Sequence, residues 1–303
     1  MKLGLGTVQF GLDYGITNAA GRTSEVEVGR ILRLAANNGI RVLDTAAGYG
    51  ESETVLGRTL PARHPFAIVT KTPARRKEEN GDAYAERVKA TFRRSLARMG
   101  QKKIYGLLAH HAEDLLSAQG EILMQVLLEL RRQGFVEKVG VSIYNAAQID
   151  TILARYPVQL VQLPVSVLDQ RLIDSGHLAR LRRAGIEVHA RSVFLQGLLL
   201  MTPDAIPPYF SAIRDHLGRY LAYLESLALT PMEAALGFVH GLPEVDHVVF
   251  GVNTATQLQE ILAVQIKQVD TRSMARFALS DPAMLDPSRW PLDPRLTPNL
   301  LKN

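Results

Sequence analysis

RVLDTAAGYG, residues 41 to 50, reads as a buried β-strand that ends on an acid and turns into a loop: Val42 and Leu43 lead to Asp44, and Tyr49 follows. Two later apolar runs end in the same way, VTKT (69 to 72) on Lys71 and LLAHH (107 to 111) on His110. If these strands are parallel and close into a barrel, Asp44, Tyr49, Lys71 and His110 emerge at one rim, the end where such barrels keep their chemistry.

Working outward, the same alternation of apolar run and helical periodicity spans most of the chain. Strands are expected at 2–6, 41–46, 67–71, 104–110, 138–144, 160–165, 187–193 and 247–252. Helices are expected near 25–38, 82–99, 118–133, 146–155, 175–184, 208–227 with 231–240, and 255–264. Ser24 and Glu27 have capping-box spacing at the first of these. Eight strands, each followed by a helix and joined by right-handed crossovers, predict an α/β fold of the (β/α)8 type in one domain over residues 1–303. From about residue 266 the pattern breaks at Pro282, Pro287, Pro291, Pro294 and Pro298, around Trp290. That tail is expected to be irregular with one short helix, packed on the barrel or forming one wall of a substrate pocket.

Composition removes several function classes. The 303 residues are 47% hydrophobic and contain no cysteine, which excludes disulfides, thiolate catalysis and zinc–thiolate sites. Net charge is +5, with pI about 9.4, but Arg93, Arg94, Arg131, Arg132, Arg180, Arg182 and Arg183 are spread along helix faces without interleaved aromatics. A solvated basic face that favours an anionic cofactor fits better than nucleic-acid binding. MKLGLGTVQFG has no apolar core or cleavage site of a signal peptide, and no window approaches a membrane span, so a cytoplasmic location is expected. The eight histidines show no HExxH or HxH spacing, so no metal site is expected, and GxSxG is absent. GLGTVQFG looks like a dinucleotide fingerprint but has Gln9 where the third glycine belongs, and Leu12 to Gly15 read as loop rather than helix.

The four strand-end residues carry a coherent chemistry. A phenol titrates near 10, so a tyrosine that exchanges protons at neutral pH needs a cation beside it. Lys71 can supply the charge, Asp44 can hold the ammonium in place, and His110 can donate to a carbonyl oxygen in the same pocket. Singly, each has a plain alternative as a cap, a surface charge or a half-buried ring, and it is the ordered set that points to chemistry.

With these residues in place, the sequence resembles the aldo-keto reductases. The resemblance rests on DTAxxYG followed by SExxLG (here ESETVLG, 51 to 57), TK at the next strand end and the histidine closing strand 4. It implies a (β/α)8 barrel and hydride transfer between a nicotinamide cofactor and a small carbonyl or sugar substrate. Tyr49 would be the proton donor, Lys71 and Asp44 its tuning pair, and His110 the carbonyl-orienting group. His110 is chosen over His111 because it continues the strand from Leu107 and Leu108, which leaves His111 to contact substrate.

Cofactor contacts implied by the resemblance are Thr7, Asp44, Ser142, Gln162, Arg191, Ser192, Gly251, Asn253, Thr254, Gln257 and Glu260. Four positions depart from the common pattern: Ile143 stands where many relatives have asparagine, Arg191 where a tyrosine stacks on the nicotinamide, and Gly251 and Gln257 where a lysine and an arginine hold the 2′-phosphate. NADP(H) is favoured over NAD(H), its 2′-phosphate resting on the amides and hydroxyls of Asn253 and Thr254 at a helix N-terminus. Substrate is expected to meet the apolar loop FLQGLLLMTPDAIPPYF (194 to 210) through Phe194, Leu198, Leu199, Tyr209 and Phe210. Two other readings stay open: a Schiff-base lyase using Lys71, and a cofactor-binding regulatory subunit with vestigial activity. The substrate, the favoured direction and the oligomeric state are not legible.

Overall fold

A computed structural model describes residues 2–18, 20–267 and 269–291. Eight parallel strands close in chain order: β1 (Lys2–Gly6), β2 (Val42–Asp44), β3 (Ala67–Lys71), β4 (Ile104–Ala109), β5 (Val136–Ser142), β6 (Leu160–Pro164), β7 (Glu187–Arg191) and β8 (His247–Gly251). β8 pairs back on β1, Gly6 lying opposite Gly251, so the sheet has no free edge. The fold is the expected (β/α)8 barrel, which removes the dinucleotide-fingerprint reading of GLGTVQFG.

The helices depart from the sequence expectation where polar residues are buried or one element is broken in two. α1 (Val8–Gly11) is a single turn directly after β1 that periodicity could not show, followed by α2 (Glu25–Asn37). α3 (Ser52–Thr59), which completes the β2 unit, was not delimited by the sequence because its buried face includes Ser52 and Glu53 beside Val55 and Leu56. Those two polar side chains are engaged: Thr70 Oγ1 donates to Glu53 Oε1 at 2.8 Å, and Ser52 Oγ donates to the Thr7 carbonyl at 2.8 Å.

α4 (Gly81–Met99), α5 (Ala112–Leu116), α6 (Gly120–Arg132) and α7 (Ala146–Arg155) cover the next strands. α7 begins with a complete capping box, Asn145 with Gln148. The helix expected at 175–184 is α9 (His177–Arg183), preceded by a separate turn, α8 (Arg171–Asp174). The expected 208–227 helix is a 3₁₀ segment, Pro208–Ile213, leading into α10 (Arg214–Ser226), then α11 (Pro231–His240). α12 (Ala255–Ala263) follows β8. None of these described helices is long and apolar enough to cross a membrane.

Among the described residues beyond α12 there are two short helices, α13 (Thr271–Met274) and α14 (Pro282–Leu285), each trailed by a 3₁₀ turn, rather than one. Met274, Phe277, Leu285 and Trp290 are buried, and the Trp290 ring meets Phe210 edge-on at 4.8 Å. No described residue beyond Ile261 lines the main cleft. Pro294 and Pro298 lie outside the described residues.

Two apolar regions result from the strand alternation. The large one, with Leu43, Ile68, Val161 and Val188, lies between the barrel and its helices. The small one, Val42, Val69, Leu108 and Leu160, has Tyr105 packed against it and sits on the same strand face as Asp44, Lys71 and Gln162, two residues further along β2, β3 and β6. It is an apolar cluster in the barrel interior.

α3 crosses α4 through Gly57, where an added Cβ would lie 1.8 Å from the Arg98 carbonyl oxygen. Alanine in an open helix stabilises by about 0.5–1 kcal/mol over glycine. At Gly57 the contact reverses the sign: Gly57→Ala is expected to destabilise by about 1–3 kcal/mol, measured as a lowered urea midpoint at unchanged slope.

Candidate active site

Asp44 and Lys71 end adjacent strands and face each other across the barrel mouth. Lys71 Nζ donates to Asp44 Oδ1 and Oδ2 at 2.8 and 2.7 Å and to the Thr45 carbonyl at 2.9 Å. The same nitrogen is 3.5 Å from Tyr49 Oη. Gln162 Nε2, from β6, donates to Asp44 Oδ1 at 2.7 Å. Asp44 and Lys71 are 4% and 2% exposed, so the pair is out of water. The His110 ring stands edge-on to Tyr49, centroids 5.8 Å apart, and its backbone N–H donates to Thr72 Oγ1.

The loop that carries Tyr49 is held from below. Thr7 Oγ1 donates to the Asp44 carbonyl at 3.0 Å and shares a 2.8 Å bond with Ser52 Oγ, which also lies 3.1 Å from Thr45 Oγ1. Thr7 thus lines the cleft, but its hydroxyl is spent on holding the loop. Gly11 of α1 lies directly under Tyr49: a Cβ there would be 1.9 Å from the Tyr49 carbonyl oxygen and 2.4 Å from the Ser52 nitrogen.

Burial dominates the titration of the set. It raises the Tyr49 phenol above its ordinary range, with the Asp44 carboxylate adding to the rise and Arg191 opposing it. A free lysine would pull the phenol down, but the charge of Lys71 is already neutralised by Asp44. Burial lowers Lys71 too, against the pull of Asp44. His110 falls well below its usual value through burial, then through the nearby Lys71. At neutral pH the site therefore presents a protonated phenol beside a neutral imidazole.

A cleft of about 350 Å³ leads from these residues across the barrel mouth to the β8–α12 loop. Ser142, Gln162, Arg191, Ser192 and Phe194 line it near the tetrad, and Gly251, Asn253, Gln257 and Glu260 line its far end. His111 and Thr254 do not line it. His111 is exposed, stacks on His110 at 4.7 Å and begins α5, while Thr254 Oγ1 caps α12 by accepting from the Gln257 N–H. The apolar loop turns inward: Leu198, Leu199 and Phe210 are core residues, and Tyr209 donates to the Ala283 carbonyl. Only Phe194 of the five named wall residues lines the cleft.

Several lining residues escaped sequence reasoning. Tyr14 lies after β1 and accepts a 3.0 Å bond from Gln196 Nε2. Tyr144 lies two residues past β5, and the Arg191 guanidinium sits over its ring at 4.2 Å while donating to the Ile143 carbonyl. Tyr144 shares with Tyr49 the position just beyond a strand end, the one signal that could have marked it.

Two acceptors test what the cleft can hold. Gln9 Oε1 and Asn253 Oδ1 are buried without a hydrogen-bond partner among the described residues, and both residues line the far half of the cleft. They fit a ligand rich in hydroxyl and amide donors. The N-terminal amides of α12 are less free than expected. Asn253 N–H donates to Gln257 Oε1 at 2.7 Å, and Ala255 N–H to Glu27 Oε1 at 2.6 Å. The capping box expected at α2 is half-formed for that reason: Ser24 accepts from the Glu27 N–H, but the Glu27 carboxylate reaches α12 and Arg30 instead.

Comparison with known proteins bears on the family and the fold. The family model described as the aldo/keto reductase family matches residues 2–280. Aldo-keto reductase YhdN from Bacillus subtilis (strain 168) is 27% identical over 181 residues, 57% of this chain, and the match spans about half (53%) of that relative's length. Among solved structures, the holo form of aldo-keto reductase AKR11C1 from Bacillus halodurans superposes with TM-score 0.71 at 20% identity, covering 91% of this chain and 90% of that one. Glycerol dehydrogenase AKR11B4 from Gluconobacter oxydans gives TM-score 0.68 at 19% identity over 96% and 94%. At these identities the two structures speak for the fold.

The support under Tyr49 is testable without touching it. Gly11→Ala is expected to push the loop carrying Tyr49 away and lower turnover by about 100-fold, the scale of a 1 Å misplacement. Far-UV circular dichroism of the variant should match the wild type.

Proposed function

The chain belongs to the aldo/keto reductase family, and on that premise we propose that it interconverts a small carbonyl and its alcohol, with Tyr49 as the proton donor. The observation that carries the reading is the Tyr49 hydroxyl, 3.5 Å from an ammonium that Asp44 holds with both oxygens, facing His110 across one cleft. A bound nicotinamide dinucleotide would supply or accept the hydride, with Gln9, Ser142, Asn253 and Glu260 among the groups to hold it.

In reduction, neutral His110 donates to the carbonyl oxygen and orients it, and Tyr49 transfers its proton to that oxygen as charge develops. The phenolate left behind faces Lys71, which stabilises it until a proton returns. Alcohol oxidation runs the other way and needs the phenolate first. A raised phenol therefore favours reduction at neutral pH, and oxidation should quicken as pH rises.

Beside Phe194 and Leu200 of the apolar loop, the cleft that holds His110 is lined by Tyr14, Tyr144 and Arg191. Hydroxyls and a guanidinium suit a sugar or polyol better than an aromatic aldehyde, and one structural relative is a glycerol dehydrogenase. The Schiff-base reading loses ground because Lys71 Nζ already has Asp44, Thr45 and Tyr49 around it and presents no free face to a carbonyl carbon. The reading places the chain in the cytoplasm, to which a cysteine-free sequence is suited.

For the dinucleotide, the expected preference for NADP(H) rested on α12 amides that Gln257 and Glu27 now occupy. A carboxylate on that helix end opposes a 2′-phosphate, so NAD(H) serves as well.

Two measurements test this reading. Tyr49→Phe should lower carbonyl reduction by about 10²- to 10⁴-fold with cofactor affinity nearly unchanged; a near wild-type rate would remove Tyr49 from its role. Fluorescence titration should give NADH and NADPH dissociation constants within about tenfold, or 1.4 kcal/mol, and Glu27→Gln should tighten NADPH alone. NADPH binding more than about 100-fold tighter in the wild type would restore the 2′-phosphate site, and binding of neither would end the oxidoreductase reading.

A further inference from the structure

A second polar cluster closes the opposite end of the barrel. Glu187 and His189 are two apart on β7 and face the same side of the strand, and His247, the first residue of β8, is the register partner of His189. One donor atom from each of the three lies within 4.8 Å of the others. Glu187 Oε1 is 2.6 Å from His189 Nε2 and 4.0 Å from His247 Nε2. The absence of HExxH and HxH spacing, which argued against a metal in the sequence, does not bear on donors carried by neighbouring strands.

Part of the cluster's donor capacity is unused. Nδ1 of both histidines is buried without a hydrogen-bond partner among the described residues. Glu187 is held by His189, Lys138 and Tyr105. Lys138 and Tyr105, the latter at 2.6 Å, engage Oε2 and leave Oε1 to the histidines.

We propose that Glu187, His189 and His247 form a site for one zinc-class divalent cation, with water completing the coordination. Two imidazole nitrogens and a carboxylate oxygen are a donor set that such borderline ions take. At metal–ligand lengths of about 2.0–2.2 Å, tetrahedral donors sit roughly 3.3 Å apart. The two separations from Glu187 Oε1, 2.6 and 4.0 Å, straddle that value, and all three donors lie within 4.8 Å of one another, so side-chain rotation closes the site. His189 is fully buried, whereas the Glu187 and His247 side chains keep 12% and 11% exposure, which gives the ion a route in. The Lys138 ammonium competes for Glu187 and sets an upper limit on affinity. The site is at the strand N-termini, away from Asp44 and Lys71, so its occupancy bears on stability and not on turnover.

Zinc and cobalt ions, each added to the full chain, test the proposal. One Zn²⁺ per chain should bind by calorimetry, displace Co²⁺ from a tetrahedral visible spectrum and raise the melting temperature, with carbonyl turnover unchanged. His247→Ala and Glu187→Gln should each weaken binding by more than the 10- to 100-fold typical of losing a ligand's hydrogen-bond partner. Lys138→Met keeps all three donors and should tighten it, which separates ligation from misfolding. Absence of one-to-one binding at millimolar zinc, or binding left unchanged by His247→Ala and Glu187→Gln, would overturn the site.

Discussion

The buried pair of Lys71 and Asp44 is the constraint on which both the barrel mouth and its chemistry depend. Two ions removed from water lose several kcal/mol of solvation each, and their attraction repays this only with good geometry and further hydrogen bonds. Here the geometry is close: both carboxylate oxygens meet the ammonium, Gln162 adds a bond to one of them, and the Thr45 carbonyl takes a third ammonium proton. Deleting either partner would strand a buried charge at a cost of about 3–5 kcal/mol. The pair therefore ties the ends of β2, β3 and β6 together, and the Tyr49 loop inherits its position from that tie.

Much of this was readable because parallel barrel strands are buried on both faces and appear as continuous apolar runs. A polar residue ending such a run stands out, which is why Asp44, Lys71 and His110 were legible and why the closed eight-stranded sheet agreed within a few residues. Legibility failed where burial was satisfied by hydrogen bonds. α3 hides Ser52 and Glu53, so no apolar stripe announces it. The 194–210 loop was correctly read as apolar, but hydrophobicity does not say which way a loop faces, and Leu198, Leu199 and Phe210 chose the core over the cleft.

Glu27 shows the same limit across distance. Local spacing assigned its carboxylate to its own helix N-terminus, whereas the fold offers it a second helix end, α12, at 2.6 Å. A carboxylate is stabilised by either set of amides. Sequence spacing counts only the local one. The consequence reaches function, because the helix end it occupies is the one a 2′-phosphate would need.

β7 shows how one strand serves both ends of the barrel. Its sequence EVHAR alternates with period two, so Val188 and Ala190 join the outer core while Glu187, His189 and Arg191 share the other face. Arg191 reaches the cleft, and Glu187 and His189 reach the floor. Elsewhere that interior face is interrupted by the apolar cluster of Val42, Val69, Leu108 and Leu160. The rim can hold a raised phenol and a lowered lysine while the floor holds its own ionised glutamate, each end set by its own burial and partners.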